Sequence, residues 1–143
     1  MDPCIFCEII AGDRPASVVY EDAAVIAFLD TAPITAGHVL VIPRQHVAGL
    51  GAMDETTGMQ LFRIASRLGT ALRRSSLRCE GVNLFLADGA AAGQDVFHVH
   101  LHVFPRFVGD LFRIEADRSV RPPRAELVGI ARRIRSAYQT LAY

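Results

Sequence analysis

Three of the five histidines in this 143-residue chain fall at alternating positions, in the run Phe97-His98-Val99-His100-Leu101-His102-Val103-Phe104-Pro105. An imidazole can serve as nucleophile, proton donor or metal ligand near neutrality, because its ordinary pKa is about 6.5. To attack, one ring nitrogen must be bare while the other donates a hydrogen bond that fixes the tautomer. Along a strand, side chains alternate between faces, so His98, His100 and His102 share one face and Val99, Leu101 and Val103 the other. A rise of about 3.3 Å per residue spaces neighbouring rings by roughly 6–7 Å at the backbone. Three rings so placed can surround one phosphorus or one metal ion.

The other residues that could do chemistry are fewer. Cys4-x-x-Cys7 is half a zinc site and needs two further ligands. It precedes no βαβ unit, which argues against a thioredoxin-like motif. Cys79 stands alone.

The elements that must position these groups follow from the hydrophobic pattern. Asp2 can cap a short helix, with Pro3 at its first position and Ile5, Phe6, Ile9 and Ile10 at helical spacing. Gly12 ends it. Strands are expected over 18–21 and 23–30 around a turn at Glu21-Asp22, then over 38–43, with Pro43 at a strand end. Asp54 or Thr56 can cap a long helix whose apolar stripe is Leu61, Ile64, Ala65, Leu68, Ala71 and Leu72. Further strands are expected over 82–87 and 97–104. A C-terminal helix follows Pro122-Pro123, with Leu127, Ile130, Ala131, Ile134, Tyr138 and Leu141 in period. The fold class is therefore α+β: an antiparallel five-stranded sheet, a long central helix and a C-terminal helix, with helices packed on one side.

Composition bounds the function. The length suits one domain, 1–143, and 51% hydrophobic residues can build a core. The formal net charge is zero, which speaks against a nucleic-acid groove or an anionic membrane surface. All 15 basic residues are arginine, which excludes a Schiff-base lysine and a Walker A phosphate loop. No apolar run reaches the ~18 residues of a membrane helix, and no secretory signal is visible. Three cysteines are odd and few, so a cytoplasmic protein is expected.

The histidine run resembles the His-x-His-x-His signature of the histidine triad (HIT) family of nucleotide hydrolases and transferases. Ala92-Gly93-Gln94-Asp95-Val96 resembles that family's approach to the triad. Asp30, Gly37-His38-Val39-Leu40-Val41-Ile42-Pro43 and Pro105-Arg106 fall in the family's order. The resemblance covers roughly residues 4–110. It implies a HIT-like fold whose sheet is commonly completed in a homodimer, and a purine nucleotide of AMP type as substrate or product. By the resemblance, His100 attacks the α-phosphorus, a nucleotidyl-histidine forms, and water cleaves it, so one hard step becomes two. His102 donates to a phosphate oxygen and assists the leaving group. His38 supports the triad. Asp30 accepts from the ribose hydroxyls. Phe6, Ile9 and Phe28 fall at the purine pocket, although apolar residues at such spacing are usually core. Gln94 contacts the α-phosphate, with Gly93 allowing close approach.

The Cys pair resembles a bacterial zinc-binding branch, in which Cys4, Cys7, His46 and His98 form a structural zinc site. Residues 105–110 resemble the Fhit branch more than the Hint branch. Two positions depart from the hydrolytic pattern. Ala87 stands where hydrolytic members usually carry Asn or Gln. Asp95 stands where they often carry Ser or Thr, and a carboxylate repels phosphate. The leading reading is a nucleotide phosphoramidase or hydrolase, with Asp95 favouring a leaving group that departs as a protonated amine. Three others stay open: a dinucleoside polyphosphate hydrolase, a metallohydrolase using the triad as open zinc ligands, and a nucleotide-binding regulator with little turnover.

Overall fold

The computed structural model describes residues 3–141. It forms two compact units, one ending at Leu111 and the other beginning at Phe112.

The first unit is an antiparallel sheet of five strands: β1 (Val18–Glu21), β2 (Val25–Leu29), β3 (Val39–Pro43), β4 (Gly81–Phe85) and β5 (Leu101–Arg106), in the spatial order β1-β2-β3-β5-β4. The Asp22 carboxylate shapes the β1–β2 turn by accepting from the amides of Ala24 and Val25, both at 2.8 Å. Pro43 ends β3 as expected. The two faces of the sheet have different tasks. Val25, Ala27, Val39, Val41, Leu101 and Val103 pack against Leu61, Ile64, Ala65 and Leu72 of the long helix α2 (Glu55–Arg74). Asp54 caps α2 through the Thr57 amide at 2.9 Å, one of the two caps expected.

The residues between those, Ile26, Phe28, Leu40 and Ile42, turn to the other face and pack with Phe6 of the short helix α1 (Ile5–Ala11). The helices therefore lie on both sides of the sheet, which corrects the one-sided packing expected above. The cause is Phe6: it is buried, and seven residues of helix are too short to stand alone without such an anchor. The helix begins after Cys4, which offers no side-chain cap, so Pro3 is not its first residue; the Asp2 cap lies outside the described residues. Gly12 closes α1 in the left-handed conformation, φ +84°, where glycine carries no Cβ penalty.

β5 starts later than expected. His98 and His100 precede it, and only His102 is within it. The alternation survives because the chain stays extended: Val99 donates to the Val47 carbonyl at 2.8 Å, and Val99, Leu101 and Val103 all join the core against α2. In the sheet His102 stands opposite Leu40, which puts it on the α1 face.

The second unit has no regular structure until α3 (Arg124–Tyr138), which begins directly after Pro123. No residue of α3 is buried, and Leu141 lies beyond its end.

Candidate active site and metal cluster

One open cavity of about 370 Å³ lies on the α1 face, lined among others by Phe6, Ile9, Phe28, Asp30, Asp95, His100 and His102. Two layers make it. Helix α1 provides one apolar wall, and the ends of β2 and β3 with the extended stretch before β5 provide the other. Phe6 locks the two together: its ring meets those of Phe28, His98 and His100 edge-on, with centroids 5.7, 5.8 and 5.2 Å away.

The tautomers of His38, His98, His100 and His102 can be read from their fixed neighbours. A carbonyl oxygen only accepts, so a ring nitrogen facing one must donate. His100 Nδ1 donates to the carbonyl of His98 at 2.8 Å. In the neutral ring its Nε2 is then bare. That nitrogen lies on the cavity, 3.8 Å from Asp95 Oδ1, while the Asp95 side chain is 86% exposed.

A second chain of bonds fixes the other two rings. The Ile34 amide donates to His38 Nδ1 at 3.1 Å, so the His38 proton sits on Nε2. That Nε2 is 2.8 Å from His102 Nδ1 and donates to it. The proton of His102 is therefore on Nε2, left for the cavity that His102 lines. Burial lowers the His38 pKa, against the raising effect of Asp30. Burial, and then the neighbouring His100 and His38, push His102 down to about 4. Both rings are neutral near pH 7, as the relay requires. Gly37 supports His38: at φ +99° it favours glycine, and a Cβ there would meet Leu77 at 2.8 Å.

Asp30 Oδ1 accepts from the Ala32 amide at 2.8 Å, while Oδ2 is 3.7 Å from His38 Nε2. Asp30, His38 and His102 are close enough together to hold a cation. The relay argues against that use, because the proton between His38 and His102 occupies the position a metal would need. It also argues against the metallohydrolase reading, since His100 and His102 have separate fixed partners.

The structure does not bring Gln94 or Gly93 to the cavity. Gln94 is buried; its Nε2 donates to the carbonyls of Ala48 at 2.7 Å and Val96 at 3.1 Å, and its Oε1 accepts from Gly89. The amide thus ties the loop before the triad to the loop after β3. Ala87 is buried and offers no donor. Residues the motifs did not flag also line the cavity, among them Ile5, Arg14 and Thr31. No motif marks Arg14, because it stands in an ordinary-looking loop after α1.

Beside the cavity, Cys4, Cys7, His46 and His98 bring four ligand atoms within 4.8 Å of one another. Cys4 Sγ is 3.5 Å from His98 Nδ1, Cys7 Sγ 3.7 Å from the same atom, and Cys7 Sγ 3.4 Å from His46 Nδ1. A tetrahedral zinc with Zn–S of about 2.3 Å and Zn–N of about 2.0–2.1 Å sets S···N near 3.5 Å. The donor set fits. His98 Nε2 donates to the Pro43 carbonyl at 2.8 Å, which leaves Nδ1 as a lone pair aimed at the thiols. The cysteines are free, and burial and then the Cys4 thiol raise the Cys7 pKa, an effect a bound cation reverses.

A family model described as HIT domain matches residues 11–109. An uncharacterized HIT-like protein of Borreliella burgdorferi is 46% identical over 113 residues, 78% of this chain and 81% of that protein. A crystal structure of a HIT family member from Bacillus subtilis has a TM-score of 0.86 at 35% identity and covers 99% of each chain. A zinc-bound histidine triad family protein from Mycobacterium smegmatis has a TM-score of 0.75 at 39% identity, covering 94% and 96%. A histidine triad nucleotide-binding protein from Candida albicans has a TM-score of 0.86 at 26% identity, covering 98% and 100%.

Proposed function

The chain belongs to the HIT domain family, and on that premise we propose that it is a nucleotide phosphoramidase or hydrolase that works through a covalent nucleotide on His100. The family includes hydrolases and nucleotide-binding proteins. One observation carries the proposal: His100 holds a bare Nε2 on the cavity, with its other nitrogen spent on a backbone carbonyl.

The steps follow from the ring positions. A purine nucleoside monophosphate derivative lies with its base against Phe6, Ile9 and Phe28 and its ribose hydroxyls on Asp30. His100 Nε2 forms a bond to the α-phosphorus as the bond to the leaving group breaks. The amine departs neutral from a substrate nitrogen that is already protonated, and the water of the second step releases its proton to solvent. His102 Nε2–H donates to a phosphate oxygen where negative charge grows. Water then attacks phosphorus, the P–N bond breaks, and His100 regains its lone pair. Gln94 acts at one remove, by holding the loop that carries Asp95.

Asp95 sets the leaving-group preference. Its carboxylate faces the nucleophile's nitrogen, so a leaving amine already protonated in the substrate is favoured over a polyphosphate. Ala87 favours a second reading, a nucleotide-binding regulator with little turnover, because hydrolytic members usually carry a side-chain donor where this buried alanine has none.

Zinc fits Cys4, Cys7, His46 and His98 as a structural ion; its chemistry is to neutralise the thiolates and pin α1 to the sheet. We also infer a homodimer. β4 is an edge strand with Leu84 and Phe85 exposed, and α3 exposes Ile134 and Tyr138. Free cysteines suit a reducing, cytoplasmic location, and no helix among the described residues is long and apolar enough to cross a membrane.

Mass spectrometry of the protein mixed with adenosine 5′-phosphoramidate tests the mechanism. An adenylate is expected on the peptide holding His100 in the wild type and absent in His100→Ala. Turnover by His100→Ala at the wild-type rate would refute it.

A further inference from the structure

The cavity carries a charge that the proposed reaction does not use. Arg14 lines the same cavity as His100 and His102. Its Nε donates to Glu8 Oε2 at 2.8 Å, which ties the guanidinium back to α1. The Nη hydrogens are left to meet a ligand.

Its place on the chain says which part of a nucleotide it meets. Helix α1 starts beside the Cys4–Cys7 cluster and His98, next to the nucleophile, and runs to Ala11. Seven helical residues span about 10 Å. Gly12 then turns the chain, and Arg14 follows beyond that far end. The apolar Ile9, Phe28 and Leu29 line the cavity with it, and so do Asp30 and Thr31. A nucleotide whose phosphate sits at His100 therefore puts its base, not its phosphate, towards Arg14.

We propose that Arg14 reads the base edge and gives this site a preference for 6-oxopurine nucleotides, guanine and hypoxanthine, over adenine. The inference rests on the nucleotide reading above. A guanidinium only donates. Guanine and hypoxanthine present two adjacent acceptors, N7 and O6, which a planar fork can take together. Adenine presents N7 beside an amino donor, so one of the two bonds is lost and a donor faces a donor. Glu8 adds to the discrimination by fixing the fork on one side. Arg14 keeps about half of its side chain in solvent, 49% exposed, which holds the effect to the lower part of the range for a bidentate pair.

Calorimetric titration of the zinc-loaded full chain with GMP, IMP and AMP tests the proposal, on wild type, Arg14→Ala and Arg14→Lys. GMP and IMP are expected to bind alike and about tenfold tighter than AMP. The ratio falls to about one in Arg14→Ala and is only partly kept in Arg14→Lys, whose single point charge cannot fork. Equal affinities in the wild type overturn the proposal. So does an equal weakening of all three ligands in Arg14→Ala, which would mean stacking on any base. A gap between GMP and IMP as large as that between IMP and AMP also overturns it, since N2 would then be the group read. Equal binding of all three sinks this inference alone, whereas no binding of any nucleotide sinks the reading it rests on. Circular dichroism of the variants checks that each is folded.

Discussion

The carbonyl of His98 accepts the His100 Nδ1 proton at 2.8 Å, while the His98 ring turns its own Nδ1 to Cys4 and Cys7. One residue thus belongs to two sites, by its side chain to the metal cluster and by its backbone to the nucleophile. A change at the cluster reaches His100 without any ligand in common.

Removing the metal should therefore loosen the protein more than it stops the chemistry. A strong chelator is expected to lower the melting temperature by on the order of 10 °C. Adduct formation on His100 slows but persists. The same is expected of Cys4→Ser. Calorimetry and the adduct assay on one sample read both effects. Abolished adduct with an unchanged melting temperature would instead make the ion catalytic.

Asp95→Ser removes a negative charge 3.8 Å from the attacking nitrogen. The ratio of kcat/KM for a nucleoside phosphoramidate over that for a dinucleoside polyphosphate should fall by about five- to tenfold. Added salt shrinks the wild-type preference, because this carboxylate is exposed. Rates that change in parallel for both substrates rule out a leaving-group role.

Acid should weaken the fold through His102. Its native pKa is held at about 4, while the unfolded residue titrates at about 6.5. Between those values the unfolded chain binds the extra proton, so stability is complete above about pH 6.5 and falls as pH drops towards 4. The loss is about 2 kcal/mol by pH 5. Burial lowers the pKa of His38 as well, which adds in the same direction. Urea midpoints at pH 7 and pH 5 measure it. His102→Asn should flatten the dependence, and an unchanged pH difference in that variant contradicts the assignment.

If the exposed β4 edge joins two copies, the protein sediments as a dimer at micromolar concentration. Leu84→Lys places a charge on that edge and should produce monomer that stays folded. A wild-type monomer under the same conditions removes the dimer from the proposal.

Much of the site was legible in the residues alone. Period-2 alternation through His98, His100 and His102 told which rings share a face, and it held although only His102 lies in the strand, because Val99, Leu101 and Val103 had to reach the core. The apolar stripe of α2 and its Asp54 cap were equally plain, since both are local and repeat every turn. The short α1 was plain as a helix but not in its placement. Helix period says that Phe6 is buried, not on which face of the sheet.

By itself the sequence determined the family, the order of the elements and the residue types that can attack, donate or bind a metal, because these reside in side-chain chemistry and short-range spacing. Only the tertiary structure decided the protonation pattern. His100 is bare at Nε2, His102 is a donor, and His98 is free for a metal because of the carbonyls of His98 and Pro43 and the amide of Ile34. It also spent Gln94 on the loops and brought Arg14 to the cavity that His100 and His102 line. Backbone groups are the same at every position of a chain. Which ring nitrogen one of them faces is settled only when distant segments pack together.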